Sequence, residues 1–296
     1  MSLWIFATIG ASFVQALRFM LQKQIRSAGL STAGATQARF VWGAPIAAAF
    51  VFIYAQIKGV GLPHVPVEFW VPALWGGISQ ILATLCVVTL FTHRNFAVGI
   101  AFKKTEVIQA ALVGFLVLGE AVSPLGGLAM LVGFVGMVIL SKPPDGGLVL
   151  WNRATALGLA SGVFFAFSAV GYRAATLTVP SDDPILRAGV TLALVASMQA
   201  IILGAWMLAK EADQLREVFI RWRVTALVGL TSALGSFGWF LAFTLQTAAY
   251  VKALGQIELI FSFLISWLVF RERSGGREIL GAGLIALSVV ILVLAL

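Results

Sequence analysis
Two stretches read in parallel: residues 96–120, FAVGIAFKKTEVIQAALVGFLVLGE, and residues 248–272, AAYVKALGQIELIFSFLISWLVFRE. Set against each other at an offset of 152, they place Glu106 on Glu258 and Leu118-Gly119-Glu120 on Phe270-Arg271-Glu272. At an offset of 153, Gly76 and Ser79 fall on Gly229 and Ser232. Each stretch opens on an apolar run long enough to cross a bilayer, which takes about 20 helical residues at 1.5 Å apiece. A run that returns at a fixed offset with its carboxylate in the same place marks an internal repeat.

Outward from these runs, apolar segments bounded by charges, Pro or Gly predict spans at 3–22, 32–56, 69–91, 96–118 and 124–141. The second half gives 155–178, 184–209, 222–246, 248–270 and 277–296. The expected fold is an all-α membrane protein of about ten transmembrane helices: a five-helix repeat over 1–141, a linker over 142–153, and a second repeat over 154–296. The linker contains Lys142-Pro143-Pro144-Asp145-Gly146-Gly147, which cannot continue a helix. Five spans is an odd number, so the second copy must enter the membrane in the opposite sense. The loop charges agree. Lys23, Arg26, Arg94, Lys142, Arg153, Lys210, Arg216, Arg221, Arg223, Arg271, Arg273 and Arg277 fall in odd-numbered loops, against Lys58, Arg173 and Arg187 in even ones. Positive residues stay on the cytoplasmic side, which places the odd loops there and both termini on the periplasmic face of an inner membrane.

Composition excludes much else. The chain is 60% hydrophobic and 11% charged, where a soluble domain carries roughly 25% charged residues. The net charge of +8 is spread over short loops rather than gathered in a stripe, so nucleic acid is not an expected partner. Cys86 is the single cysteine and sits in an apolar run, which removes internal disulfides and cysteine metal sites. Met1-Ser2-Leu3-Trp4 lacks a basic leader, so the first run reads as a retained helix. There is no phosphate-binding glycine loop, zinc-type His/Cys spacing or nucleophile elbow, and no cofactor is expected.

A charge at the bilayer centre needs a partner or a wet cavity. Glu106 and Glu258 each stand about 15 Å from the ends of their spans. They either hold the bundle together or carry substrate or proton coupling, and their symmetric midplane position favours the second. Lys103 lies three residues before Glu106 on the same helical face, while Gly255 holds the matching place beside Glu258, which predicts open space flanked by Ser262. An ammonium in one copy and none in the other suits a zwitterion; a structural ion pair accounts for Lys103 equally well. Lys252, near the start of its span, is expected to snorkel. Gln15 and Arg18 form a polar stripe on the first span, where Arg18 either holds a carboxylate or snorkels. Ser232, Ser236 and Trp239 stripe the eighth, as one wall of a pocket or as ordinary packing. Gln80 and Gln109 are intramembrane amides that complete a polar cavity or bridge helices.

The two tandem units, each with an acidic junction before its last helix (Leu118-Gly119-Glu120 and Phe270-Arg271-Glu272), resemble the EamA-type members of the drug/metabolite transporter superfamily. The resemblance covers nearly the whole chain. It implies a central cavity between two inverted repeats, alternating access, and substrates such as amino acids, as in YddG-type exporters, or other metabolites and cationic drugs. The chain departs from the common pattern by having glutamate in both copies where a proline often stands, about fourteen residues before the junction. The expected function is export of a small amino-acid-like metabolite by a secondary transporter in the bilayer, monomer or homodimer, with protons as a candidate coupling ion. Efflux of hydrophobic cations is the alternative within transport. An integral-membrane lipid enzyme is the distant one, since His93 and Arg94 near one interface lack a partner set.

Overall fold
The helices begin and end on residues whose chemistry explains the boundary. In the computed structural model, which describes residues 2–91, 105–140, 153–271 and 275–294, Ser31 opens α2 (Thr32–Lys58) by accepting the Gly34 N–H at 3.0 Å. Gly59, in the left-handed conformation at φ +66°, closes it. Before it runs α1 (Leu3–Ser27), and after it, behind a 3₁₀ turn at Val67–Phe69, α3 (Trp70–Leu90). Then come α4 (Glu106–Leu118), α5 (Pro124–Leu140), α6 (Arg153–Thr178), α7 (Pro184–Lys210), the short α8 (Ala212–Ile220) and α9 (Trp222–Leu245). Last are α10 (Ala248–Leu254), α11 (Glu258–Leu268) and α12 (Gly276–Leu294). The described regular elements are all helical. Among the described residues, seven helical stretches are long and apolar enough to cross a membrane, and Glu106–Leu118, Pro124–Gly136 and Ile279–Leu292 are shorter apolar helices beside them.

The expected spans recur with three differences. α1 continues past residue 22 to Ser27, because Lys23 and Arg26 are good helix formers at the end where cations are favoured. Residues 212–220, expected as loop, form amphipathic α8, which buries Val218 and leaves Phe219 and Ile220 exposed. The ninth span is two helices, α10 and α11, joined by a 3₁₀ turn at Gly255–Ile257. Lys103, the first nine residues of the fourth span and the linker over 142–152 lie outside the described residues.

Apolar side chains face outward as well as inward: Phe6, Phe52, Leu116, Ile201 and Leu268 are all exposed. That surface needs lipid. Inside, hydrophobicity cannot drive helix association, so close approach does. α1 packs chiefly on α9, α3 on α6, α2 on both α7 and α9, and α5 on α12. A Cβ on Gly171 of α6 would lie 2.8 Å from Gly76 Cα of α3, and Gly229 of α9 receives Trp42 and Gly43 of α2 in the same manner. At one end Glu120 is ion-paired with Arg173, which also donates to the carbonyls of Phe243 (2.6 Å) and Gln246 (2.8 Å). This ties the turn after α4 to the end of α9.

α7 starts on Asp183, whose Oδ1 accepts the N–H of Ile185 (2.8 Å) and Leu186 (3.4 Å), while Tyr54 donates to Oδ2 at 2.8 Å. Partial burial works against the carboxylate, yet these bonds and the charge of Lys58 outweigh it and hold its pKa below the ordinary aspartate range. The stabilisation is therefore complete above that range and lost as pH falls through the depressed value. Asp183→Ala should cost about 0.5–2 kcal/mol at neutral pH, with the gap to wild type closing in strong acid; thermal unfolding across pH checks both.

Candidate substrate cavity
Five charged side chains are buried among the described residues: Arg18 on α1, Arg39 on α2, Lys252 on α10, and Glu106 and Glu258. The two glutamates hold equivalent positions, each the first residue of its helix, α4 or α11. Glu258 stands there because Gly255, a poor helix former, heads the turn that interrupts the ninth span. At a helix start the backbone N–H groups lack intrahelical partners and the dipole favours a carboxylate.

Three polar networks meet in the interior. Gln15 donates to Glu258 Oε2 at 3.0 Å and accepts through its Oε1 from Trp239 Nε1 (3.0 Å) and Arg18 Nη2 (3.3 Å). Lys252 Nζ donates to Glu106 Oε2 at 3.2 Å and lies 5.0 Å from the ring centre of Trp239, 5.4 Å from Phe165 and 5.8 Å from Phe243. Arg39 donates to Ser232 Oγ (3.0 Å), Thr84 Oγ1 (3.0 Å) and Ser236 Oγ (3.3 Å). Gln80 completes this third network. With its oxygen turned to Arg39, 2.7 and 3.1 Å from Nη1 and Nη2, its nitrogen donates to Ser168, the orientation that satisfies both ends.

Among these networks lies a small cavity whose wall includes Gln15, Arg39, Gln80, Tyr172, Trp239 and Lys252. A second small cavity shares Arg39, Tyr172, Ser236 and Phe240 with it. The Tyr172 and Phe240 rings common to both stack at 4.4 Å. A few convergent polar groups on an otherwise aromatic wall are the make-up of a small-molecule site.

Residues 152–294 match the model of the EamA-like transporter family. Over that second half, the chain is similar to EamA-like transporters. That family is one of membrane transporters, and the apolar helices of this chain fit a multi-pass membrane protein. A solved structure described only as "Crystal structure of protein" shares the fold at a TM-score of 0.71 and 15% identity, covering 99% of this chain and 96% of that one. No curated protein matches.

Within this EamA-like interior, the residues singled out from sequence divide into two groups. Gln15, Gln80, Ser236 and Trp239 line the larger cavity, and Ser232 with Ser236 the smaller. Glu258 is one hydrogen bond behind Gln15, and Glu106 is reached through Lys252. Arg18, 2% exposed, turns inward to Gln15 rather than snorkelling. Gln109 faces Gly162 of α6, and Ser262 is buried on α11; neither Gln109 Oε1 nor Ser262 Oγ has a hydrogen-bond partner among the described residues.

Two expectations fail. The space beside Gly255 is not open: a Cβ there would lie 2.5 Å from Trp239 Cη2. Lys252 does not snorkel, because the Glu106 carboxylate and three aromatic faces hold it in the interior. Sequence reading also passed over Arg39, although a lone arginine on the second turn of an apolar run is the signal that could have found it.

Proposed function
We propose that this EamA-like transporter exports small metabolites, amino acids foremost, across the inner membrane as a secondary transporter working by alternating access. The observation that carries the reading is the cavity whose wall presents Arg39 and Lys252, with Glu258 one hydrogen bond behind Gln15 and Glu106 behind Lys252. A carboxylate on a small molecule could meet a cation there.

Two inverted five-helix repeats, 1–141 and 154–296, are the frame of this proposal. Exchanging the halves turns the α1–α9 packing into α6–α3 and leaves α2–α7 and α5–α12 unchanged, and all four packings are present. Gly119 and Arg271, 152 residues apart, both adopt positive φ, +66° and +53°. The odd loops face the cytoplasm and both termini the periplasm in this reading, on the strength of the loop charges. Alternating access then requires the Glu120–Arg173 tie to open and close. Glu258, at the start of a half-helix and bonded to Gln15, is the candidate for proton coupling.

Reconstitution in liposomes tests this. Wild type should carry labelled amino acids, driven by an imposed proton gradient, and Glu258→Gln should lower the rate at least about tenfold, the loss of one interaction of about 1.4 kcal/mol. Wild-type rates in both Glu106→Gln and Glu258→Gln would sink the proposal. Efflux of hydrophobic cations is disfavoured by the two cations, Arg39 and Lys252, on the cavity wall.

A further inference from the structure
The buried charges do not balance. Arg18, Arg39 and Lys252 stand against Glu106 and Glu258, so one positive charge is in excess among the described residues. Lys252 is held by Glu106, and Arg18 has Glu258 within electrostatic reach, with Gln15 bonded to both. Arg39 is the cation left over. It is 5% exposed, and its recorded partners, Ser232, Ser236, Thr84 and Gln80, are three hydroxyls and an amide. Such groups satisfy N–H donors without cancelling charge, and a buried charge so held remains costly. Arg39 also borders both cavities.

We propose that Arg39 is the anchor for a carboxylate on the transported molecule, so that the cavity selects carboxylate-bearing solutes over cations. This rests on the export reading of the same cavity. The planar guanidinium fork matches a carboxylate through two parallel N–H bonds, and the Ser232 and Ser236 hydroxyls can rotate to release them. A carboxylate would give Arg39 the counter-charge that it lacks among the described residues. The rest of the solute meets Phe165, Trp239 and Phe243, which favours an apolar or aromatic body.

Three probes that differ in one group each test the anchor: phenylalanine, phenylalanine amide, which lacks the carboxylate, and 3-phenylpropionate, which lacks the ammonium. In wild-type liposomes phenylalanine and 3-phenylpropionate should compete for transport, and the amide should bind about tenfold to a hundredfold more weakly, the loss of one charge-assisted contact. Arg39→Gln should erase the preference for acid over amide, and Arg39→Lys should keep part of it. Equal competition by acid and amide in wild type would overturn the anchor even if no Arg39 variant folds, as would a preference that survives Arg39→Gln. Transport of none of the three would overturn the export reading with it; transport of acid and amide alike would overturn the anchor alone.

Discussion

Glu106→Gln should cost the folded protein about 3–5 kcal/mol, and adding Lys252→Met should return most of that loss. Glu106 is 1% exposed and Lys252 7%, and the 3.2 Å contact between them joins α4 to α10. Removing the carboxylate leaves an ammonium in the interior without its counter-charge, which is worse than having neither. The three rings around Lys252 soften the penalty by cation–π attraction, so the lower end of the range is expected. Methionine at 252 removes the charge, keeps an unbranched chain of similar length and places its thioether among the same rings. Thermal unfolding in detergent of the two single variants and the double one measures the coupling. If the double variant is no more stable than Glu106→Gln, Lys252 draws its stability from elsewhere. Transport should stay impaired in the rescued protein, since Lys252 lines the cavity.

The spans were legible because bilayer thickness fixes how long an apolar helix must be, and that length is written locally. The glutamates were legible for a related reason: eleven residues into a run, a carboxylate has no route to water. Arg39 and Lys252 were not, because each lies within two turns of a predicted span start, where a long side chain can reach either way. What turned Lys252 inward is a carboxylate 146 residues away. Glu258 likewise meets Gln15 across 243 residues. Pairings of this range depend on which helices touch, and neither periodicity nor spacing carries that information. The open space expected beside Gly255 is filled. Gly255 is small because an indole from α9 needs the room.

That indole makes Gly255→Ala the sharper test of the site. Helix propensity alone says alanine should stabilise by up to about 1 kcal/mol. The packing says the opposite, because the new methyl would lie 2.5 Å from Trp239 Cη2 and 3.1 Å from Cζ3. The ring has little freedom to retreat: its Nε1 is bonded to Gln15, it stacks on Phe243 with centroids 6.0 Å apart, and Lys252 lies over its face. Overpacking of this kind costs about 1–3 kcal/mol, so alanine should destabilise on balance. It should also lower transport at least about tenfold, since Gln15 moves with the ring and Glu258 with Gln15. The two effects separate in a Trp239→Phe background. Phenylalanine lacks the six-membered ring of the indole that meets position 255, so there the steric term disappears while the propensity term remains, and Gly255→Ala should become neutral or stabilising. A change of sign between the backgrounds, read as a coupling of at least about 1 kcal/mol in unfolding, identifies Trp239 as the reason for glycine. The same penalty in both would place the constraint in the backbone turn at Gly255–Ile257 instead, and with it the control of where Glu258 begins its helix.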